Sequence, residues 1–118
     1  MPQEAVYRHG DVGDIVNHTP TGGALVAGQV HVFGTTGLTC GIARLDIANN
    51  TLGALDAGGG IYEVINLDNA ANGAKVYWDN TNNKVTTTST NNALFGFVVE
   101  NGGGGANSNC HALHQPYV

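Results

Sequence analysis

Residues 75–88 read Lys-Val-Tyr-Trp-Asp-Asn-Thr-Asn-Asn-Lys-Val-Thr-Thr-Thr, and this stretch decides the fold class. Its two flanks, residues 75–79 and 84–88, are rich in the β-branched and aromatic residues that favour strands. Residues 80–83 between them are mostly Asn, which tolerates the left-handed backbone of tight turns. The pattern predicts an antiparallel β-hairpin.

Outside this hairpin, strand patterns recur along the chain and helix patterns do not. No stretch free of Gly or Asn places apolar residues at helical spacing. Short strands at regular spacing are typical of an all-β sandwich or barrel. The predicted strands cover residues 12–17, 29–33, 38–47, 61–65 and 94–99, with a bulge near Gly41. Residues 68–74 are long enough for a single helical turn.

Chain length, composition and net charge indicate how many domains the chain has and which kinds of partner it lacks. The chain has 118 residues, which predicts one domain, and 42% hydrophobic residues, which suffice for a core. Its net charge of −5 offers no basic stripe, so we expect no nucleic-acid partner. No apolar run approaches the roughly 20 residues of a bilayer span, so we expect no membrane partner. The first residues lack the pattern of a secretory signal peptide.

The C-terminal region differs in composition from the rest. Residues 101–109 read Asn-Gly-Gly-Gly-Gly-Ala-Asn-Ser-Asn, which predicts a flexible Gly-rich tether. Residues 110–118 regain apolar side chains, so they are expected to dock on the chain's own body or on a neighbour, or else to fray. We therefore expect a β-domain over residues 1–100, with residues 1–9 as a possible arm, and a linker with a docking segment over 101–118. The candidate partner-contact residues are Gln3, Val6, Tyr7, His111, Leu113, His114 and Tyr117.

No motif assembles a catalytic, cofactor or metal site, and none of the three is predicted. Residues 110–114 read Cys-His-Ala-Leu-His, which crowds three potential ligands together where a closed zinc site needs two separated pairs. His9, His18 and His31 have no partner at ligand spacing. Residues 58–60 and 102–105 are glycine runs without a following helix, so they are interpreted as turns and a tether.

The two cysteines and the single tryptophan leave alternatives open. Free thiols are favoured for Cys40 and Cys110, although one disulfide between them remains open. Because side chains alternate along a strand, Val76 and Trp78 share one face and Tyr77 lies on the other. Packing of Trp78 in the core or an interface is favoured, and stacking on a sugar is the alternative.

Residues 5–100 resemble the DUF2190 family of small tailed-phage proteins, whose members look like capsid cement (decoration) proteins. The resemblance is carried by the 73–79 block and by the segments 84–87 and 94–98, with support from pieces near residues 10, 28 and 41. Gln29 departs from the Asp that is common in the family, and the glycine run after residue 101 is a second departure. The signature residues are Gly10, Asp11, Gly28, Gly41, Ala43, Gly73, Val76, Tyr77, Trp78, Asp79, Leu94, Phe95 and Gly96.

The resemblance implies a single small jelly-roll-like β-barrel or sandwich that is not an enzyme. It also implies a virion protein on the outer capsid surface, bound to the major capsid protein of an HK97-type shell. Copies of the chain are expected to meet as dimers or trimers at local symmetry axes. The alternative is a virion-displayed module that binds glycans or the host surface.

Overall fold

The computed structural model describes residues 4–33 and 39–116, with the backbone alone for residues 9–14, and its regular structure is entirely β. The all-β class is confirmed, since the described residues contain no helix. The strands are β1 (Val6–His18), β2 (Val30–Phe33), β3 (Thr39–Ala43), β4 (Gly53–Asn66), β5 (Lys75–Asp79), β6 (Lys84–Thr86), β7 (Ala93–Glu100) and β8 (Ser108–His114).

The strand pairing closes on itself. β4 pairs with β6, β6 with β5, β5 with β7, β7 with β8, and β8 pairs back with β4. All of these contacts are antiparallel except the short parallel one between β4 and β6. β3 joins β4 and β7, while β1 extends the sheet from β4 and β2 extends it from β3. Such closure is consistent with the jelly-roll-like barrel that was expected.

The β5–β6 hairpin forms where it was predicted. Trp78 opposes Val85, and Asp79 opposes Lys84 at the turn. The Asp79 carboxylate accepts hydrogen bonds from the backbone N–H groups of Thr81 and Asn82, at 2.9 and 3.1 Å. Asn83 adopts a left-handed φ of 58°, a conformation that Asn tolerates. Local side-chain chemistry therefore closes the turn, which explains why it was readable from the sequence.

The main core lies inside the barrel and is built around Trp78. Its indole ring is fully buried, as expected, with its centroid 6.2 Å from that of Phe95. Val76 is also fully buried, whereas Tyr77 is half-buried, as strand alternation predicts. Cys40 and Cys110 are both buried and both free, so the structure has no disulfide between them.

Several signature glycines hold positions where a side chain would clash or strain the backbone. Gly96 has a φ of 153°, and a Cβ there would lie 1.8 Å from the carbonyl oxygen of Leu113. Gly28 has a φ of 84° and donates its N–H to the Ala43 carbonyl oxygen at 2.8 Å. Gly10 and Asp11 lie in β1. Gly28 and Gly96 thus adopt backbone conformations that favour glycine, and Gly96 also permits the close approach of β7 and β8.

The glycine run 58–60 was interpreted as a turn, and this interpretation is wrong. The run lies inside β4, with positive φ angles of 89° at Gly59 and 83° at Gly60. Opposite it, the β1 stretch from His9 to Asp14 spans more residues than the β4 stretch from Ile61 to Gly58. The glycines therefore accommodate bulges in a long paired ribbon and do not reverse the chain.

The expected tether and docking segment take a different form. Residues 108–114 form β8, which pairs with β4 on one side and β7 on the other. The glycine loop before it is held by hydrogen bonds, with Gly102 N–H donating to Asn72 Oδ1 and Gly105 N–H to Asn69 Oδ1, each at 2.8 Å. The C-terminal segment therefore docks in cis as part of the barrel, and no boundary at residue 100 divides the sheet.

The expected N-terminal arm is also attached from residue 4 onward. The backbone N–H groups of Glu4 and Ala5 donate to the Gly28 carbonyl oxygen, and the Glu4 carboxylate accepts the Val30 N–H at 2.8 Å. Ala5 is buried. Residues 68–74 form no helical turn. Instead, buried Asn66 exchanges two hydrogen bonds with the Ala70 backbone, which fixes the loop in an irregular path.

Candidate functional site

The described surface carries an apolar pocket in the loop between β3 and β4. Leu45 and Leu52, at 74% and 66%, are the most exposed of the large apolar side chains that the structure describes. Both line a pocket of about 560 Å³, together with the buried side chain of Ile47. Arg44, Asp46 and Thr51 provide polar groups in its lining. An apolar centre with a polar border is the usual make-up of a protein–protein contact.

Hydrogen bonds on several sides fix this loop in position. Ile47 and Leu25 exchange two backbone hydrogen bonds of 2.8 and 2.9 Å, and both side chains pack in a second small core. Asp46 accepts the Ala27 N–H at 2.8 Å, and Asn50, with a φ of 62°, donates its N–H to the Pro20 carbonyl oxygen. The leucines are therefore presented by an ordered loop, which reduces the entropy lost when a partner binds.

Two more exposed apolar side chains lie at the same end of the barrel. Ile15 and Val16 of β1 oppose Asp56 and Leu55 in the first half of β4. Both are exposed, and the residues that begin β4, Gly53 and Ala54, line the Leu45–Leu52 pocket. As neighbours on one strand, Ile15 and Val16 point to opposite faces, so they do not form one surface with each other. We call Leu45 and Leu52 the apolar end patch.

An ion pair between the exposed Arg44 side chain and buried Asp56 lies at this end of β4. The Asp56 carboxylate lies 3.2 Å from Arg44 Nε and accepts a hydrogen bond of 2.8 Å from the Tyr62 hydroxyl. Burial, followed by that hydrogen bond to Asp56, raises the pKa of Tyr62, so the hydroxyl remains a donor. The charge of the Asp56 carboxylate therefore attracts Arg44 to the border of the pocket.

Some of the predicted partner-contact residues come together in space. Val6 of β1 and His111 of β8 both oppose Glu63 of β4, from its two sides. Tyr7 is 49% exposed, while its ring contacts Tyr62 edge-on at a centroid distance of 5.7 Å. His111 is half-buried and lies 3.0 Å from the Glu100 carboxylate.

The other predicted partner-contact residues fare differently. Leu113 is half-buried. His114 is fully buried inside the barrel, so its choice as a contact residue is wrong: strand alternation on β8 turns it inward. Gln3 and Tyr117 lie outside the described residues.

Cys40 and His114 meet in the core, but their contact differs from that of an activated thiol. The Cys40 Sγ lies 3.9 Å from His114 Nε2, and that nitrogen is 3.0 Å from the Cys40 carbonyl oxygen. Burial raises the pKa of Cys40 to about 12 and that of Cys110 to about 11. A reactive cysteine requires the opposite, a lowered pKa and solvent access.

The described residues give little support to sugar binding by Trp78, to a metal site or to a membrane-spanning helix. Trp78 is buried, so it offers no surface on which a sugar could stack. No group of three or more His, Cys, Asp and Glu side chains converges among the side chains that the structure describes. In the same part of the chain, no helix has the length and apolar character needed to cross a membrane.

Leu45 and Leu52 were not identified from the sequence as contact residues. They flank the turn-forming stretch 48–51, where exposed leucines are hard to explain by packing within a single strand. Two apolar residues beside an Asn-Asn turn were therefore an available signal. The alternation over residues 38–47 predicts one continuous strand and hides this signal, whereas β3 ends at Ala43.

Comparison with known proteins identifies a family. A model of the phage cement protein family matches residues 9–112, which is most of the chain and extends into β8. No curated protein and no solved structure matches the chain significantly.

Proposed function

The chain belongs to the phage cement protein family, whose role is structural stabilisation of the capsid, and from this premise we propose that it binds the outer surface of an HK97-type shell. Its partner in this proposal is the major capsid protein. The family match over residues 9–112 is the observation that carries the proposal. The protein would then reside in the virion, on the capsid exterior, and catalyse no reaction.

We place the shell contact at the apolar end patch. Leu45 and Leu52 are the most exposed large apolar side chains that the structure describes, and charged residues make up only 11% of the chain. Interface centres are depleted of charge and enriched in apolar surface, so this end suits a protein partner. The ordered loop that presents Leu45 and Leu52 suits a contact that must form many times with the same geometry.

A second contact is proposed around Glu63, where β1, β4 and β8 lie side by side. Val6, Tyr7, His111 and Leu113 border this region, and Arg8 forms an ion pair with Glu63. We assign these residues to contacts between copies of the chain, as dimers or trimers at local symmetry axes. A protein that contacts both the shell and its own copies detaches slowly, because every contact must open together.

Binding to shells assembled without this protein tests the proposal. Purified chain is added to such shells, unbound protein is removed by sedimentation, and occupancy is measured by gel densitometry and by cryo-EM. We expect saturable, stoichiometric binding and a higher temperature of shell rupture. Absence of binding, or rupture at an unchanged temperature, would contradict the proposed function.

Paired variants test the placement of the contact. The double variant Leu45→Ser with Leu52→Ser removes the two most exposed leucines that the structure describes, and we expect it to lose most shell occupancy. The matched control is Ile65→Ser with Val99→Ser, which removes exposed apolar side chains elsewhere on the barrel. Full occupancy by the leucine variant would move the shell contact away from the end patch. Both variants are first checked for cooperative unfolding.

A further inference from the structure

Two histidines that are distant in sequence lie against each other on the surface. His18 ends β1 and His31 lies in β2, and these strands are the two outer strands of the pairing path. Their ring centroids are 4.3 Å apart, and the ring planes are tilted by 41°. Phe33 packs edge-on against His31 at a centroid distance of 5.5 Å. The sheet therefore creates a histidine pair that sequence spacing did not indicate.

The pair borders an open, uncharged pocket. The pocket measures about 270 Å³ and is also lined by Leu25, Gln29 and the loop over residues 20–24. Within the part of the chain that the structure describes, none of the ring nitrogens of His18 or His31 has a hydrogen-bond partner. No carboxylate, lysine or arginine lines the pocket.

We propose that His18 and His31 form an open two-histidine site for a divalent transition-metal ion, with Zn²⁺ as the representative. Neutral imidazole nitrogen is a preferred ligand of this class of ion, with bonds of about 2.0–2.1 Å. Two nitrogens bound to one such ion lie roughly 3 Å apart, a spacing compatible with ring centroids that are 4.3 Å apart. No further His, Cys, Asp or Glu converges among the described residues, so water completes the coordination.

The environment of His31 supports the proposal. Phe33 packs edge-on against the His31 ring, and no carboxylate, lysine or arginine lines the pocket that the ring borders. A neutral imidazole ring has a nitrogen with a lone pair that can bind the metal. The ion would then lie beside this nitrogen, where no protein donor lies in the described residues. The bound ion would join β1 to β2, two strands that do not pair with each other.

Thermal unfolding of the untagged full-length protein with added ZnCl₂ tests the site. An ion that binds the folded chain raises Tm, and the rise follows the logarithm of zinc concentration above Kd. We expect this behaviour with Zn²⁺ and none with Mg²⁺, which prefers oxygen ligands. His18→Gln and His31→Gln should each weaken zinc binding at least ~10-fold, since loss of even an outer-shell partner costs 10- to 100-fold.

The control variant is His111→Gln, which removes a histidine located elsewhere, beside Glu100. It should retain the zinc effect. If either pocket variant folds poorly, NMR of the imidazole nitrogens in the unmodified protein gives a second measurement. Zinc should then shift the resonances of His18 and His31 together. An unchanged Tm, unaltered zinc affinity in both pocket variants, or a zinc response that follows His111 would overturn the proposal.

Discussion

The Nε2 atom of His114 lies 3.0 Å from the carbonyl oxygen of Cys40, deep inside the barrel. Because a carbonyl only accepts, Nε2 carries a proton and donates it to this hydrogen bond. The Nδ1 atom is buried and has no hydrogen-bond partner in the described residues. Tyr62 and Phe95 pack around the ring, with centroids 6.0 and 5.1 Å away. A second proton would therefore enter an apolar environment without an acceptor.

This arrangement predicts acid sensitivity. Burial lowers the pKa of His114 to about 4, whereas the unfolded side chain titrates near 6.5. Between these values the unfolded chain binds more protons, so the free energy of unfolding falls as pH decreases from 6.5 towards 4. The loss should reach roughly 3 kcal/mol, as 1.36 kcal/mol accompanies each pKa unit. Urea denaturation at several pH values measures it.

His114→Gln is the informative variant for this prediction. Glutamine retains an N–H donor for the Cys40 carbonyl but does not titrate, so the slope between pH 6.5 and 4 should flatten. His111→Gln, on the same strand, should keep the slope. Asp68 and Asp79 both have lowered pKa values. At Asp68, desolvation is outweighed by several hydrogen bonds to the carboxylate, and at Asp79 the chief cause is the hydrogen bond from the Asn82 side chain. The stability that these two carboxylates contribute to the fold is lost only at a pH below the range in which His114 acts. An unchanged slope in His114→Gln would show that other groups control acid unfolding.

Trp78→Ala should destabilise the barrel by about 3–5 kcal/mol. The side chain is fully buried against Phe95, so its removal loses apolar contacts and leaves a large cavity. Tyr77→Ala is the control, because the neighbouring ring is only half-buried on the opposite face, and we expect less than half the effect. Chemical denaturation followed by circular dichroism gives both values. Similar losses in the two variants would contradict the assigned strand faces.

Iodide quenching checks the same burial without a mutation. As the chain has a single tryptophan, native fluorescence reports Trp78 alone. We expect little quenching in the folded protein, strong quenching in urea, and no spectral shift with added sugars. Strong quenching of the native protein would restore the glycan-binding alternative, because it would place the indole ring at the surface.

Gly96→Ala should lower the free energy of unfolding more than a substitution that removes one methyl group from the core. A Cβ at this position lies 1.8 Å from the Leu113 carbonyl oxygen and 2.8 Å from the Gln115 nitrogen, so backbone must move. Its φ of 153° adds strain for any other residue. We expect a loss of more than about 3 kcal/mol.

The control for that change is Gly22→Ala, where nothing lies within 4 Å of the added methyl group and φ is not positive. We expect a change within about 0.5 kcal/mol. Thermal unfolding of the two variants side by side makes the comparison. Near-native stability of Gly96→Ala would mean that β7 and β8 approach less closely than the structure shows.

Local patterns predicted local structure well and long-range pairing poorly. The β5–β6 hairpin was readable because Asp79 and the Asn-rich turn close it within a few residues. The partners of β8 were not readable, since strand β4 lies far away in sequence and a glycine run resembles a linker. That run differs from a free linker through Asn72 and Asn69, whose amides accept its N–H groups.

The same distinction applies to the candidate sites. His18 and His31 come together through the pairing of strands that are distant in sequence. β1 pairs with β4, β2 pairs with β3, and β3 pairs with β4. Spacing along the chain carries no information about such a contact. Family resemblance predicted the structural role of the chain, which the family match over residues 9–112 supports, but it indicated no position for the shell contact.

Removal of β8 gives the sharpest test of its place in the barrel. A chain that ends at residue 101 lacks the strand between β4 and β7 and loses Cys110, Ala112 and His114 from the core. It also exposes two strand edges whose backbone groups were paired, which favours aggregation. We expect no cooperative unfolding transition and poor solubility, measured by circular dichroism and size-exclusion chromatography.

The matched control lengthens the loop and keeps the strand. A Gly-Ser insertion between Gly103 and Gly104 changes the connection at a point where no atom crowds Gly103. Loop lengthening of this size costs less than about 1 kcal/mol, since closure entropy grows slowly with length. The insertion variant should therefore fold cooperatively. If instead the truncated chain melted cooperatively with an unchanged β spectrum, β8 would be an accessory segment, as a tether-and-docking arrangement requires.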